Sequence, residues 1–302
     1  MRVPHTESFE WPNAPAGRFV SSIRTGDPIG CAIGLIGVPD DTGVRMNRGR
    51  IGAAQGPSAF RAALGRYGSA KPAGIAWPGV FDAGDVEPGG SLEETHERVT
   101  EAAGALLDAG LLPVMIGGGH DLTFPFVRAL AGRLSEPLHG VYFDAHLDVR
   151  AETGSGMPFR ALVERCGVGG LTVHGLDRFA NSTEHVRWFE GHGGRGATLP
   201  AGGEHFGPDD HWPSGDLFVS FDLDVIDQAY APGVSAMNPS GWDPGTACAW
   251  VRAAGRCERV LCFDIMELSP PHDSPAGEGG RTVRLAARLF LEFLAGFSER
   301  SA

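Results

Sequence analysis

Residues 141–150 read Val-Tyr-Phe-Asp-Ala-His-Leu-Asp-Val-Arg. A β-prone run leads here into three residues of metal-binding type that are spaced two apart, Asp144, His146 and Asp148. Because side chains alternate faces along an extended segment, we expect these three to point the same way and the two residues between them to pack on the other side. The stretch therefore predicts a buried strand whose carboxyl end carries metal ligands.

Two other segments place such residues directly after an apolar run. Residues 218–226 read FVSFDLDVI, with Asp222 and Asp224 two apart, and residues 114–121 read VMIGGGHD, with His120 after three glycines. A single Asp-X-Asp pair is also compatible with a surface pair or a one-magnesium phosphate site. Three such strand ends together favour a two-metal site, because several buried carboxylates repel one another unless cations neutralise them.

Apolar strands alternate with helical patterns along the rest of the chain, without hairpin signals. The predicted strands are 31–38, 75–82 (a short edge strand), 112–116, 138–143, 171–174, 197–199, 217–221 and 259–265. The predicted helices are 57–67, 91–108, 123–134, 158–166, 182–190, 244–254 and 280–297, and 39–56 and 228–241 are predicted loops. This alternation predicts an α/β fold with a mostly parallel sheet between two helical layers, and ligands beyond the carboxyl ends of the strands.

Length and composition suit one large core. The chain has 302 residues, of which 42% are hydrophobic and 21% charged. We expect residues 1–28 to form an irregular N-terminal arm and residues 29–302 a single catalytic domain, because no linker or repeat divides the chain.

Charge and cysteine usage exclude several classes of protein. A net charge of −12 argues against nucleic acid or an anionic membrane as partner. Residues 1–19 lack the apolar core of a signal peptide, and no apolar run approaches the roughly 20 residues of a membrane span. The 5 cysteines are scattered and form no C-X-X-C pair, which is typical of a reducing compartment. We therefore expect a cytoplasmic protein that acts on a small molecule.

The motifs together resemble one known family. GGGHD (117–121), DAHLD (144–148) and SFDLDVID (220–227) are similar to motifs of the arginase–agmatinase (ureohydrolase) family of binuclear manganese hydrolases. The resemblance covers residues 31–298 and implies a three-layer α/β/α fold with an eight-stranded parallel sheet. Within the family, the chain most resembles the formimidoylglutamases, in the segments 43–64, GSGMPFR (154–160), APGVSA (231–236), DIMELSPPHD (264–273) and GRTVRLAARL (280–289).

The resemblance implies two Mn²⁺ ions per subunit, each with four protein ligands. The first ion would be held by His120, Asp144, Asp148 and Asp222. The second would be held by Asp144, His146, Asp222 and Asp224, so that two aspartates bridge the pair. A carboxylate-dominated set with two imidazoles suits Mn²⁺ better than Zn²⁺. The family also forms trimers or hexamers, which implies a homo-oligomer, although the sequence itself indicates no interface.

The implied reaction is hydrolysis of N-formimidoyl-L-glutamate to L-glutamate and formamide, a step of histidine degradation. In this reading Asp148 carries a proton to the leaving amine, and Glu267 matches the family acid that pairs with the amidine. Because the substrate bears two carboxylates, we expect arginine and polar side chains near the metals. The candidate substrate-binding residues are Arg150, Arg50, Asn47, Arg160 and Ser155.

One departure separates the chain from the arginases. Arginases carry a histidine in the segment HGQP, whereas residues 155–158 read SGMP here, as in the formimidoylglutamases. The alternative is another ureohydrolase, a guanidino-acid hydrolase or an agmatinase, that releases urea. The arginine-rich first loop argues against agmatine, which has no carboxylate. A metal-binding regulator that retains the fold is a third hypothesis, and the complete ligand set argues against it.

Overall fold

The structure is a computed structural model that describes residues 1–11, 17–68, 77–198 and 212–300. Its strands are β1 (Thr6–Glu7), β2 (Ile33–Gly37), β3 (Val80–Val86), β4 (Leu112–Ile116), β5 (His139–Phe143), β6 (Gly170–Leu176), β7 (Arg195–Thr198), β8 (Leu217–Asp222) and β9 (Val260–Met266). Its helices are α1 (Thr42–Met46), α2 (Gly56–Leu64), α3 (Leu92–Asp108), α4 (Thr123–Ala131), α5 (Pro158–Cys166), α6 (Thr183–Gly191), α7 (Pro244–Arg256) and α8 (Arg281–Phe297).

The strands form one sheet in the order β1-β3-β2-β4-β9-β8-β5-β6-β7. Eight of them, from β3 to β7 in this order, run parallel, and the two-residue β1 adds an antiparallel edge to β3. The prediction of an α/β fold with a mostly parallel sheet is confirmed. All eight parallel strands end at the same side of the sheet, which is the side where the candidate ligands lie.

Helices cover both faces of the sheet because its strands are apolar on both sides. Val141 and Phe143 of β5 belong to a core that also contains Trp250 of α7 and Phe290 of α8. Tyr142, between them in the strand, belongs to the opposite core, with residues of α3, α4 and α5. Two buried cores on the two faces make the three-layer α/β/α arrangement. Within the described ranges, no helix combines the length and apolarity needed to cross a membrane.

The N-terminal half differs in detail from the prediction. The predicted edge strand 75–82 is wrong in its bounds: β3 begins at Val80, β1 covers its outer side, and residues 75–76 lie outside the described residues. The predicted loop 39–56 contains α1. Residues 1–28 include β1, which pairs with the strand β3 at one edge of the sheet, and Phe19, whose side chain is buried.

The predicted strand at 197–199 falls at the opposite edge of the sheet. There β7 runs from Arg195 to Thr198 and pairs with β6, while Leu199 lies outside the described residues. Two helix ends also come earlier than predicted, since α2 ends at Leu64 and α4 at Ala131. Local patterns mark the existence of an element better than its last turn.

Helices α7 and α8 cross where glycine replaces a side chain on each. A Cβ at Gly296 would lie 1.9 Å from the carbonyl oxygen of Arg252, and a Cβ at Gly255 would lie 2.1 Å from that of Phe293. Real Cβ atoms do not approach backbone oxygens this closely, so either substitution must push the helices apart. The close crossing therefore depends on both glycines.

Gly296→Ala is expected to lower the free energy of unfolding by about 2 kcal/mol, because overpacking against backbone outweighs the better helix propensity of alanine. Urea unfolding followed by circular dichroism measures this change. Gly191→Ala, at the end of α6 with no atom within 4 Å of the added Cβ, is the matched control and should leave stability equal or higher. Equal stability of the two variants would contradict the close crossing.

Candidate metal centre

Four neighbouring strands of the sheet end at the candidate site. In the order β4, β9, β8 and β5 they lead into His120, Glu267, Asp222 and Asp144 respectively. His120 stands at the start of a 3₁₀ turn that follows the three glycines after β4. The residues come from distant parts of the chain and meet because parallel strands present their carboxyl ends at one edge.

The first group of candidate ligands surrounds His120. Its Nδ1 lies 3.0 Å from Asp148 Oδ2, 3.0 Å from Asp222 Oδ2 and 3.2 Å from Asp144 Oδ2. One ligand atom of each of these four residues lies within 4.8 Å of the others. His120, Asp144 and Asp222 are buried, while the side chain of Asp148 is 15% exposed and reaches the pocket above.

The second group shares Asp144 with the first. His146 Nδ1 lies 3.3 Å from Asp144 Oδ1 and 3.0 Å from Asp224 Oδ2. These three residues form a second set of converging ligand atoms. Asp222, which the resemblance assigns to both ions, groups with the first set. All six candidate ligands thus lie together, in two adjacent groups joined through Asp144.

The reason expected for this convergence is partly wrong. Strand β5 ends at Phe143, so residues 144–148 are not an extended continuation of it. Instead Asp144 Oδ1 accepts a hydrogen bond of 2.6 Å from the backbone N–H of His146. Asp222 Oδ1 accepts an equivalent bond of 2.8 Å from the N–H of Asp224. Each Asp-X-(His/Asp) pair is therefore a turn closed by its own first carboxylate, which brings both side chains to one side.

Two site residues hold a backbone conformation that is costly for them. Asp148 has φ of 47° and Glu267 has φ of 65°, in the left-handed region that favours glycine. A non-glycine residue there costs roughly 1–2 kcal/mol unless surrounding contacts over-determine it. Both side chains line the same pocket. The two strained positions aim their carboxylates toward one space.

The pKa values of the site carboxylates reflect crowding of negative charge. Burial, together with the charges of Asp148 and Asp224, raises the pKa of Asp144 to about 6. Burial and the neighbouring carboxylates also raise the pKa of Asp222 well above its usual value. Burial alone would lower the pKa of His120, but contacts with three aspartates raise it well above normal. Without a counter-ion, this concentration of negative charge would destabilise the fold.

The orphaned polar atoms show what such a counter-ion must be. His120 Nδ1, Asp144 Oδ2 and Asp224 Oδ1 are buried and have no hydrogen-bond partner. Buried polar atoms are normally paired, yet His120 Nδ1 and Asp144 Oδ2 lie only 3.2 Å apart and have no hydrogen-bond partner. A set of four carboxylates and two imidazoles without thiolate fits hard or borderline divalent cations such as Mn²⁺. The residues present thus fit a metal centre.

A buried polar chain behind His120 was not anticipated from the sequence. His120 Nε2 lies 2.9 Å from Ser220 Oγ, which donates a 2.6 Å hydrogen bond to Asp264 Oδ1. Thr123 Oγ1 donates to the other oxygen of Asp264 at 2.9 Å. Ser220 and Asp264 are register partners on β8 and β9, so only the pairing of these strands brings them together. This chain orients the imidazole so that Nδ1 faces the metal position.

Asp264→Asn is expected to weaken Mn²⁺ binding roughly 10–100-fold while the metal-free protein still folds, because the variant loses the charge that orients His120. Titration of Mn²⁺ against the thermal unfolding temperature measures this affinity. Ser220→Ala removes the link itself and should act in the same direction. An unchanged titration midpoint in both variants would contradict a positioning role.

A pocket of about 130 Å³ opens above the candidate ligands. Its wall includes three of the five residues predicted to bind substrate, Arg150, Asn47 and Ser155. Asn47 Nδ2 donates a hydrogen bond of 3.0 Å to Ser155 Oγ, which ties the first loop to the 154–156 loop. Arg150 is exposed and forms no ion pair with the described residues. Its guanidinium is therefore available to bind an anion.

The other two predicted substrate residues do not line this pocket. Arg160 forms an ion pair with Glu164 at 2.9 Å and stacks over Trp188. Arg50 donates hydrogen bonds to backbone carbonyls of residues 232–235. Spacing in the sequence could not distinguish arginines that face the pocket from those that face the protein.

Four pocket residues were missed: Gly49, Gly156, Ser235 and Ala236. Ser235 belongs to the APGVSA segment, so its presence in a motif was the only available signal. His174 of β6 packs away from the candidate ligands, with its ring centroid 4.5 Å from that of Trp250. Asp121 of the GGGHD segment turns away from the ligands and contacts His96 Nε2 at 3.0 Å. The segment thus supplies one ligand and one buried structural carboxylate.

Comparison with known proteins agrees with this geometry. The model of the Arginase family matches residues 31–296. The chain belongs to the arginase family. It is 37% identical to the formimidoylglutamase of Halobacterium salinarum, over 87% of this chain and 87% of that protein. It is 33% identical to the formimidoylglutamase of Geobacillus thermodenitrificans, over 89% and 86% of the two chains.

Solved structures of arginase-family members superpose on it over nearly their whole length. Trypanosoma cruzi formiminoglutamase, crystallised with Mn²⁺, matches with a TM-score of 0.83 and 29% identity, covering 94% of this chain and 99% of that one. Proclavaminate amidino hydrolase from Streptomyces clavuligerus matches with a TM-score of 0.81 and 27% identity, covering 95% and 99%. The first of these structures contains the metal that the donor set here favours.

Proposed function

We propose that this protein is a formimidoylglutamase that holds two Mn²⁺ ions per subunit and hydrolyses N-formimidoyl-L-glutamate to L-glutamate and formamide. The observation that carries the proposal is one pocket whose lining combines a buried carboxylate, a guanidinium and candidate metal ligands. Glu267 presents a buried carboxylate oxygen without a hydrogen-bond partner beside the metal ligands. Arg150 supplies a guanidinium on the same pocket wall. An amidinium with a carboxylate tail matches both.

Glu267 would bind the amidine. Its Oε1 accepts a 2.9 Å hydrogen bond from the backbone N–H of His120, which leaves Oε2 for the substrate. Burial raises the pKa of Glu267 to about 7, although hydrogen bonding by Ser235 and by the His120 N–H lowers it. A cationic amidine brought alongside would restore the charged carboxylate and gain a charge-assisted hydrogen bond. This contact would hold the formimidoyl carbon beside the candidate ligands that line the same pocket.

The six ligands would hold the two cations, which when bound lower the pKa of water and polarise the amidine. Asp148, which is itself one of these ligands, also lines the pocket in which the substrate would bind. When water adds to the formimidoyl carbon, Asp148 takes a proton and passes it to the glutamate nitrogen as the C–N bond breaks. Formamide and L-glutamate are the balanced products.

Turnover of defined substrates tests the proposal. Protein stripped with a chelator and reloaded with MnCl₂ is assayed with formimidoylglutamate, agmatine, arginine and 4-guanidinobutyrate. Formamide and glutamate, detected by proton NMR, are expected from the first only, and only with metal. The similarity to proclavaminate amidino hydrolase favours a guanidino-acid hydrolase as the second candidate. Urea from 4-guanidinobutyrate without formamide from formimidoylglutamate would replace the first proposal by the second.

Arg150→Ala is expected to raise KM for formimidoylglutamate roughly 10–100-fold with little change in kcat, because a hydrogen bond to a charged group contributes about 1.5–3 kcal/mol. Steady-state kinetics separates the two constants. Arg187→Ala, which removes an exposed arginine from α6, controls for the change in net charge. A lower kcat with unchanged KM would remove Arg150 from the carboxylate site.

The cytoplasmic location and the homo-oligomeric state stay predictions. A sedimentation experiment on the purified chain decides the second.

A further inference from the structure

Arg50 is tied to a loop that lies far from it in sequence. Its Nε donates a 3.3 Å hydrogen bond to the carbonyl oxygen of Ser235, 185 residues away. Its Nη2 donates to the carbonyl oxygens of Pro232, at 3.3 Å, and of Val234. Within residues 1–11, 17–68, 77–198 and 212–300, no carboxylate lies within ion-pair distance of this guanidinium. Among the described residues, the guanidinium of Arg50 therefore donates its hydrogen bonds to backbone carbonyl oxygens.

The loop that Arg50 holds forms part of the pocket. Ser235 and Ala236 line it beside Glu267. Two further bonds hold the middle of the loop: Gly233 N–H donates to Thr282 Oγ1 at 2.8 Å, and Ser269 N–H donates to the Gly233 carbonyl at 2.7 Å. These two bonds fix only Gly233. The segment that follows it, up to the pocket wall, is held from the other side by Arg50.

The backbone on both sides of Arg50 is held by hydrogen bonds. Gly49 N–H donates to the Val44 carbonyl at 2.9 Å, and Gly52 N–H donates to Asp41 Oδ2 at 2.7 Å. Arg50 therefore stands between two anchored glycines on the first loop after β2. Its planar fork can reach three carbonyls at once, which a lysine ammonium on a flexible stem cannot reproduce.

We propose that Arg50 is a positioning residue, which clamps the 231–236 loop and so fixes Ser235 against Glu267 on the pocket wall. It acts on the substrate through this loop and not by direct contact. This role for Arg50 adds to the proposed function. Of the two tests below, only the kinetic one rests on that function. The role also differs from the carboxylate binding that the position of Arg50 in the sequence suggested.

Hydrogen–deuterium exchange of the manganese-loaded protein tests the clamp without any substrate. Arg50→Ala and Arg50→Lys are compared with Arg45→Ala, which removes an arginine of α1 whose side chain is 69% exposed. In both Arg50 variants we expect exchange in peptides that cover 231–236 to be at least about tenfold faster, since hydrogen bonds from a charged group are lost. Peptides from β5 should not change, and Arg45→Ala should match the unaltered protein.

Kinetics with formimidoylglutamate gives the second readout. Arg50→Ala should lower kcat/KM at least about tenfold, with kcat affected as well as KM, because Glu267 loses its fixed neighbour. Added guanidinium ion at millimolar concentration should restore part of the activity of Arg50→Ala, whereas Arg50→Lys should stay impaired. If Arg50→Ala does not fold, Arg50→Lys carries the same exchange comparison.

Two results would overturn the inference. Unchanged exchange in the 231–236 peptides of both variants would show that the loop does not depend on Arg50. Full activity of Arg50→Lys would show that charge alone matters. If the unaltered protein does not turn over formimidoylglutamate, the proposed function fails while the exchange data still decide the role of Arg50.

Discussion

Asp222→Asn is expected to abolish the thermal stabilisation by Mn²⁺ and to lower kcat/KM at least about 10³-fold, since the cations contribute several kcal/mol to such reactions. Asp222 Oδ2 lies 3.0 Å from His120 Nδ1, in the middle of the first ligand group. Replacing one oxygen with an amide nitrogen removes both a ligand atom and a charge. The side chain keeps its shape, so the fold should survive.

The metal-free protein separates this prediction from simple unfolding. Burial and the charges of Asp224 and Asp144 raise the pKa of Asp222 well above its usual value, so its charge disfavours the metal-free fold. Without metal, Asp222→Asn should therefore unfold at the same or a higher temperature than the unaltered protein. With saturating Mn²⁺ it should unfold at a lower temperature. A variant that is less stable in both conditions would contradict a ligand role.

The same charges set the pH dependence of the metal effect. The folded-state pKa of Asp144 is raised to about 6. The metal-free fold therefore holds extra protons and loses stability as the pH rises from about 4 to about 6. Above that window the Asp144 carboxylate is charged and can bind a cation. The gain in unfolding temperature with Mn²⁺ should be larger at pH 8 than at pH 5, as differential scanning calorimetry would record.

Glu267→Gln is expected to lower kcat/KM for formimidoylglutamate about 10²-fold and to leave the stabilisation by Mn²⁺ intact. The amide retains an oxygen that can accept the N–H of His120, which Glu267 now binds at 2.9 Å. What it loses is the negative charge that we propose pairs with the amidinium. Asp222→Asn should lose metal and activity together, whereas this variant should lose activity alone.

Two measurements on the same sample decide the outcome for Glu267. Steady-state kinetics gives the loss of turnover, and Mn²⁺ titration of the unfolding temperature gives the metal affinity. Glu136→Gln, an exposed position between α4 and β5, is the matched control and should change neither. Activity within twofold of the unaltered protein would mean that the amidine binds elsewhere in the pocket.

The strands that lead into the ligands were predictable because they depend on local features. Apolar runs before Asp144 and Asp222 mark strands, and the strands occur where those runs lie. The assumption that the ligands continue an extended strand was wrong, because each pair closes a turn through its first carboxylate. In an extended strand, the side chains of residues i and i+2 point to the same side, and a turn of this kind has the same effect. The spacing of the residues therefore cannot distinguish the strand from the turn.

The sequence by itself indicated which residues could bind metal, where most of the strands of the sheet lie, and that the family is one of metal hydrolases. Only the tertiary structure decided that β9 lies between β4 and β8, which brings Asp264 behind His120, through Ser220, and Glu267 against the backbone N–H of His120. It also decided that Arg150 faces the pocket while Arg50 faces a loop. The physical reason is that spacing along a chain reflects local backbone geometry. Which strands pair, and which way a long side chain turns, depends on packing between segments far apart in sequence.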